Sequence, residues 1–287
     1  MRAARVVVLG NAVLDHRVWV DAWPPARRRT PAARYLEDLG GGAAVAAVTV
    51  ARLGGAAVFV GPRGADAAGE RVAAYLDCHG VATRHLAVLP DAATGVSLII
   101  IVPGGERLIF AYPGAGLLDD PAWAPPAALD GADALLVDSR FPRAARALAA
   151  AARARRIPVV VDLDTDTPDA WALAGAASHV IADEDLAERA GGVDALLARL
   201  DADGAWGAVT LGAAGAVHRG GRVPAFEVPA TDSTGAGDVF HGAFTLALAA
   251  GRRPEDALVA ASAAAAVRCE TGRVPEREAV DALLGRD

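Results

Sequence analysis

Short apolar runs alternate with helical segments through the second half of this chain, and no other feature limits its fold as tightly. The runs 134–137, 159–162, 179–181 and 208–211 are strand-like, and helical patterns over 143–155, 168–174 and 184–190 separate them. Buried strands joined by helices form a mainly parallel sheet covered on both faces. The first half begins the same way. A buried strand at 6–9 ends at Gly10, and Gly40-Gly-Gly42 opens an Ala/Val helix that stops at Gly54-Gly55. A strand at 56–60 and a helix over 67–80 follow. Two further helices, about 237–250 and 254–268, close the chain. The fold class is α/β, a doubly wound, mainly parallel sheet flanked by helices.

Two stretches break the alternation. Residues 15–21 alternate in polarity as an exposed strand does. The runs 96–102 and 107–112 flank Pro103-Gly-Gly105, a hairpin signal. Strands from about 12–21 and 94–113 are therefore expected to form a small β lid. Residues 22–31 read as a Pro/Arg loop and Gly61-Pro-Arg-Gly64 as a turn. No linker interrupts the pattern, so residues 1–287 are read as a single domain.

Composition removes several functions. The formal net charge is −7, and no basic stripe offers a nucleic-acid footprint. No run approaches the ~20 apolar residues of a membrane span. The first strand is too short for a signal sequence, so a soluble cytoplasmic protein is expected. The two cysteines and six histidines show no metal-ligand spacing. Ser97 and Ser139 lack a nucleophile elbow. Gly10-Asn-Ala-Val-Leu-Asp15 lacks the Gly-x-Gly-x-x-Gly of a dinucleotide fold, which removes a Rossmann dehydrogenase.

The chemistry concentrates in Asp232-Ser-Thr-Gly-Ala-Gly-Asp238, which runs into an apolar helix. Gly235 and Gly237 let the backbone turn tightly. Amides at such a helix start converge on one point, where the helix dipole adds positive potential. Asp238 would sit in the first turn, placed to accept a proton from a hydroxyl. A Gly-x-Gly at a helix start also serves as a plain turn, and an Asp there as a plain dipole partner.

The whole string is more specific, and it resembles the signature of the PfkB/ribokinase family of carbohydrate kinases. Other segments follow in order: Val7-Val-Leu-Gly10 with Asp15, Gly40-Gly-Gly42 with its helix, and Val209-Thr-Leu-Gly-Ala-Ala-Gly215. The resemblance implies a ribokinase-like fold with a lid over the sugar. It implies Asp238 as base and the amides of Gly235, Ala236 and Gly237 as an anion hole. Asp15, Gly41 and Gly42 would meet the sugar, and Thr210, Gly212 and Gly215 would border ATP. Asp185 would replace a family Glu near the nucleotide. Asp232 and Thr234 would either build a loop for a monovalent cation such as K⁺ or form a structural turn. Mg²⁺ would arrive with ATP, and relatives that dimerise through their lids suggest a homodimer. Val45 stands where many members carry Asn, which leaves one sugar contact unaccounted for.

Within the family the resemblance is nearest to sulfofructose kinases and ketohexokinases. Gly40-Gly-Gly42, Gly105-Glu-Arg-Leu-Ile-Phe-Ala-Tyr-Pro113, Asp138-Ser-Arg140 and Asp238-Val-Phe-His-Gly242 carry it. Arg140, at a strand's carboxyl end, and Arg29, in the loop below the lid, could fork onto a sulfonate or phosphate. The alternatives are that Arg140 pairs with Asp138 and that Arg29 is solvated. His241 could face the site or simply pack. The expected activity is ATP-dependent phosphorylation of a primary hydroxyl on a sulfofructose or ketohexose. A nucleoside or sugar-acid kinase, or a non-catalytic sugar- or nucleotide-binding protein, stays open.

Overall fold

The computed structural model describes residues 2–25, 27–103 and 106–285. The Gly104-Gly105 turn expected of the lid hairpin lies outside them. From the N-terminus, β1 (Arg5–Leu9) leads into β2 (Val13–Trp19) and β3 (Arg34–Gly40), and helix α1 (Gly42–Arg52) follows. Next come β4 (Ala56–Gly64), α2 (Ala67–Cys78), β5 (Ala82–Leu89), β6 (Gly95–Ile101) and β7 (Arg107–Tyr112). The alternating half runs β8 (Ala134–Val137), α3 (Pro142–Ala154), β9 (Val159–Leu163), α4 (Pro168–Ala174), β10 (His179–Asp183), α5 (Glu184–Arg189) and α6 (Val193–Ala202). It continues with β11 (Trp206–Thr210), β12 (Ala216–His218), β13 (Gly221–Val223), α7 (Ala236–Ala249), α8 (Pro254–Thr271) and α9 (Arg277–Leu284).

Nine strands make one sheet in the order β13-β12-β11-β10-β9-β8-β1-β4-β5. The pairs from β11 through to β5 are parallel, and β12 and β13 add an antiparallel edge. Side chains alternate across a strand, so β1 sends Val6 and Val8 into one core and Val7 and Leu9 into the other. The first core is completed by α1, α7 and α8, and the second by α3 to α6. Every residue of α7 from Val239 to Ala247 is buried, as befits a helix apolar on all sides. At Gly242, an added Cβ would lie 2.5 Å from the Ala46 carbonyl of α1. A glycine is what lets these two helices approach.

Four strands form a separate lid sheet in the order β3-β2-β6-β7. The lid holds one strand more than the sequence reading. Over 34–40, Arg, Glu and Asp obscure a strand that pairs antiparallel with β2. Residues 61–64 are not a turn. They extend β4 and pair with β5, itself absent from the reading. Pro62 is tolerated there because β4 pairs with β1 only as far as Val60.

Asp66 fixes the base of the lid. Its carboxylate accepts from Gly69 N–H at 2.8 Å, capping α2, and from Thr94 N–H at 2.8 Å and Thr94 Oγ1 at 2.6 Å. Burial raises its pKa, but the Thr94 and Gly69 bonds outweigh that and hold it below the ordinary carboxylate range. A depressed pKa contributes stability above the unfolded value of about 3.9, lost as pH falls through the folded value. Asp66→Ala is expected to cost about 1–2 kcal/mol near pH 7. In urea unfolding, the gap to the parent protein should narrow below about pH 4.

Candidate active site

The inner face of the lid, α1, α8 and the segment 231–238 enclose a cavity of about 800 Å³, with Asp15, Gly41, Gly235 and Asp238 in its lining. Asp238, beside Asp138 and Asp162, brings it to the carboxyl edge of the sheet, where open α/β folds bind ligands. Asp15 points from β2 on the lid, Gly41 precedes α1, and Gly235 caps α7. Gly41 has φ 88°, and a Cβ there would lie 2.5 Å from the Asn11 carbonyl. Gly42 is equally constrained, since its Cβ would lie 2.9 Å from Asp238 Oδ1 and 3.8 Å from Asp162 Oδ2. The start of α1 is thus pressed against the Asp238 carboxylate.

Gly235, in the left-handed region at φ 71°, turns the chain into α7. Ala236 N–H donates to the Ser233 carbonyl at 3.2 Å. Among the described residues, the N–H groups of Gly235, Gly237 and Asp238 have no such partner. These three, rather than the Gly235–Ala236–Gly237 set read from sequence, are free to face an anion.

Asp238 is surrounded by protein and by other acids. Desolvation raises its pKa, His241 opposes this, and Asp138 and Asp164 add to the rise. The sequence reading missed Asp162, at the end of β9. Its pKa is pushed well up by burial and by Asp164, Asp238 and Asp138. His241 faces this group. Its Nδ1 lies 2.7 Å from the Gly237 carbonyl and must donate to it, while Nε2 lies 3.4 Å from Asp162 Oδ1. Burial lowers the His241 pKa. Burial thus opposes charge on both partners of this contact. A carboxylate inside a valine strand was the one signal for Asp162.

On the lid side, burial raises the pKa of Asp15 against a Ser97 hydroxyl bond. Val45 lines the same cavity. Asp138 accepts from Asn11 N–H at 2.7 Å and Arg140 N–H at 3.0 Å, and burial still lifts its pKa to about 6. Neither Arg140 nor Arg29 lines the cavity. The Arg140 guanidinium donates to the Pro113 carbonyl at 3.1 Å. Arg29 is exposed in a bend.

The nucleotide candidates sit further along the same edge. Thr210 ends β11 and its hydroxyl lies 3.3 Å from the Ala182 carbonyl. Gly212 and Gly215, at φ 54° and 89°, shape the turn closed by Leu211 N–H on the Gly215 carbonyl at 2.7 Å. Asp185 is exposed in the first turn of α5.

Asp232 forms a turn, accepting from Thr234 N–H at 2.9 Å and Thr234 Oγ1 at 2.6 Å. Arg107 donates to the same carboxylate at 3.0 Å, and Arg17 and Arg268 approach it to 3.5 Å and 3.9 Å. Burial raises its pKa, but Thr234 and then Arg268 and Arg17 outweigh that and leave it lowered. The adjacent Cys269 and Glu270 carbonyls accept from Thr231. The donors to Asp232 converge on Oδ1, while Oδ2 faces the guanidiniums of Arg17 and Arg268, so cationic side chains already surround the carboxylate that would hold a monovalent cation. For Mg²⁺, no group of three His, Cys, Asp or Glu converges as a metal site among the described residues. Asp162 and Asp238, both near the point a Cβ would occupy on Gly42, would suit a cation that takes one or two carboxylates and its remaining ligands from phosphate and water.

A buried carboxylate at a helix start, facing a separate lid sheet on this α/β frame, is an arrangement that suits a carbohydrate kinase of the ribokinase fold. Comparison with known proteins gives the same class. The pfkB family carbohydrate kinase profile matches residues 3–275. A candidate ribokinase from Agrobacterium tumefaciens superposes with a TM-score of 0.92 at 32% identity, covering 99% of this chain and 98% of that one. Ribokinase from Bacillus subtilis is 27% identical over 97% of this chain and 99% of its own length. An Arabidopsis thaliana ribokinase complexed with ribose and ATP superposes with a TM-score of 0.84 at 25% identity, covering 99% of each chain. The chain belongs to the pfkB family of carbohydrate kinases and is a phosphotransferase. The relatives named here are ribokinases, not the sulfofructose kinases and ketohexokinases to which the sequence pointed. No helix among the described residues is long and apolar enough to cross a membrane.

Proposed function

We propose that this protein transfers the γ-phosphoryl group of ATP to a primary hydroxyl of a sugar, with Asp238 as the base. The observation that carries this is the meeting of Asp238, the free amide of Gly235, and Asp15 and Gly41 around one cavity. Asp15 and Gly41 hold the sugar hydroxyls and aim the primary one at Asp238. Asp238 removes its proton as the oxygen attacks, and the helix-start amides hold the charge on the transferring oxygens. Magnesium would arrive with ATP and be held in part by Asp162 and Asp238, where it would offset phosphate charge. Thr210, Gly212, Gly215 and Asp185 border the nucleotide, and the lid excludes water.

ADP release coupled to ribose, fructose, 6-deoxy-6-sulfofructose, 2-keto-3-deoxygluconate and adenosine tests the reading. Turnover of one acceptor, abolished with Asp238→Asn, supports it; ADP release indifferent to every acceptor and to Asp238 sinks it.

With three guanidiniums already beside Asp232, turnover is expected to be independent of monovalent cations. Exchanging KCl for tetramethylammonium chloride at fixed ionic strength should change kcat less than about twofold, against a difference of ~1 kcal/mol for even fivefold activation. A large activation by K⁺ would show that the arginines yield to it.

The protein is also proposed to be a homodimer. The outer face of the lid leaves Tyr35, Leu98, Phe110 and Tyr112 at least 42% exposed, and a second copy would cover that apolar sheet face. Sedimentation should show a dimer that Phe110→Glu dissociates.

A further inference from the structure

Of the six arginines that line the cavity, three come together from distant parts of the chain: Arg17 on β2, Arg107 on β7 and Arg268 on α8. All three turn toward one carboxylate, Asp232. Arg107 is satisfied, donating to Asp232 and, at 2.8 Å, to Ser233 Oγ. Arg17 and Arg268 are not. Their side chains are 8% and 5% exposed, yet neither approaches Asp232 closer than 3.5 Å. Asp38, at 3.9 Å from Arg17 and half-exposed, offers a second distant charge. Arg17 Nε and Arg268 Nη1 are buried with no hydrogen-bond partner among the described residues.

Buried donors are normally paired, and each unpaired one costs about 1–3 kcal/mol. Buried like charges in excess of their counter-charges cost more. The deficit here is negative charge, in a pocket with ample room. It also lies beside the chemistry. The point a Cβ would occupy on Gly235 is 3.8 Å from Arg268 Nε and 3.5 Å from Asp238 Oδ2. Arg268 and the base therefore flank a single glycine. Arg17 is two residues beyond Asp15 on the same strand and faces the same side of the sheet.

We propose that Arg17, Arg107 and Arg268 form a subsite for an anionic group carried by the acceptor itself. The substrate class is then a sugar or sugar acid bearing a carboxylate, phosphate or sulfonate away from the hydroxyl that is phosphorylated. This assignment rests on the kinase reading and adds the acceptor's charge to it. It replaces Arg140 and Arg29 with residues that the fold gathers at the cavity. A guanidinium suits all three anions, because its planar fork donates two parallel hydrogen bonds.

The test compares acceptors that differ in charge: fructose against fructose 6-phosphate and 6-deoxy-6-sulfofructose, and glucose against gluconate. Each is assayed with the parent enzyme, Arg17→Gln, Arg268→Gln and Arg268→Lys. At least one anionic acceptor is expected to exceed its neutral counterpart a hundredfold or more in kcat/KM. Either Gln variant should cut that ratio at least tenfold, chiefly through KM, and Arg268→Lys should restore part of it. Neutral acceptors preferred by the parent enzyme, or an anionic preference untouched by both Gln variants, overturns the subsite and leaves the kinase standing. Sulfate that activates a neutral acceptor, with no anionic preference, overturns it in favour of a free-anion site. No turnover of any acceptor sinks the kinase reading instead. The subsite is then judged by sulfate binding in thermal melts. Stabilisation of the parent protein that Arg17→Gln and Arg268→Gln both lose supports it, and no stabilisation overturns it. If Arg268→Gln fails to fold, Arg107→Gln takes its place.

Discussion

Asp238→Asn is expected to fold and bind ATP normally while kcat falls about 10²–10⁴-fold, the usual worth of a positioned general base. The amide keeps the shape of the carboxylate against Gly42 and relieves the repulsion from Asp138 and Asp164. Thermal stability should therefore hold or rise while turnover collapses. The parent enzyme carries a second signature. Asp238 must be ionised to accept a proton, and desolvation and neighbouring acids raise its pKa. Activity should thus rise with pH through a value above the ~3.9 of a free carboxylate. Gel filtration, calorimetric ATP binding and a pH–rate profile give the three readouts. An Asn variant within about tenfold of the parent removes Asp238 from the reaction, since a base worth so little falls below the usual range.

Gly41→Ala should damage both stability and acceptor binding. At φ 88° the residue adopts a backbone conformation that side-chain-bearing residues populate at a cost of about 1–3 kcal/mol. The new methyl would also meet the Asn11 carbonyl at 2.5 Å and Ala12 Cα at 2.9 Å, both rigid backbone. Overpacking of that kind adds about 1–3 kcal/mol. The strain falls where the chain passes from the lid into α1, so relief would push the α1 start away from Asp15 and Asp238. Acceptor KM is expected to rise more than tenfold, with ATP KM changed far less. Urea unfolding and steady-state kinetics read the two effects. A variant as stable as the parent with an unchanged acceptor KM would falsify the role given to this turn.

The main sheet was legible because its strands are continuous apolar runs: 134–137, 159–162 and 179–181 all form strands, and 208–211 does so up to Thr210. The strands that escaped are those with one wet face or one free edge. Arg34–Gly40 carries Glu37 and Asp38, and Ala82–Leu89 is a half-exposed edge. Gly-Pro-Arg-Gly at 61–64 looks like a turn until the missing partner on one side excuses its proline. Helix α9 is short and follows a loop, so periodicity had little length to act on. The Asp232–Asp238 string could be read because its glycines and carboxylate are contiguous. Arg17, Arg107 and Arg268 could not, because only the fold brings residues so far apart to one carboxylate. Asp162 was hidden for a related reason, as one acid among valines whose neighbours Asp238 and His241 come from another helix.

The lid and the nine-stranded sheet share no strand; each closes its hydrogen-bond ladder within itself. Asp15, Arg17 and Arg107 belong to the lid, while Asp238 and the helix-start amides belong to the main body. Substitutions inherited on the lid strands can therefore alter what is clasped without disturbing the frame that moves the phosphoryl group. After duplication, a descendant of this protein could wander among acceptors while remaining a competent kinase. The two sheets divide the protein into a part that is free to diverge and a part that every lineage must keep.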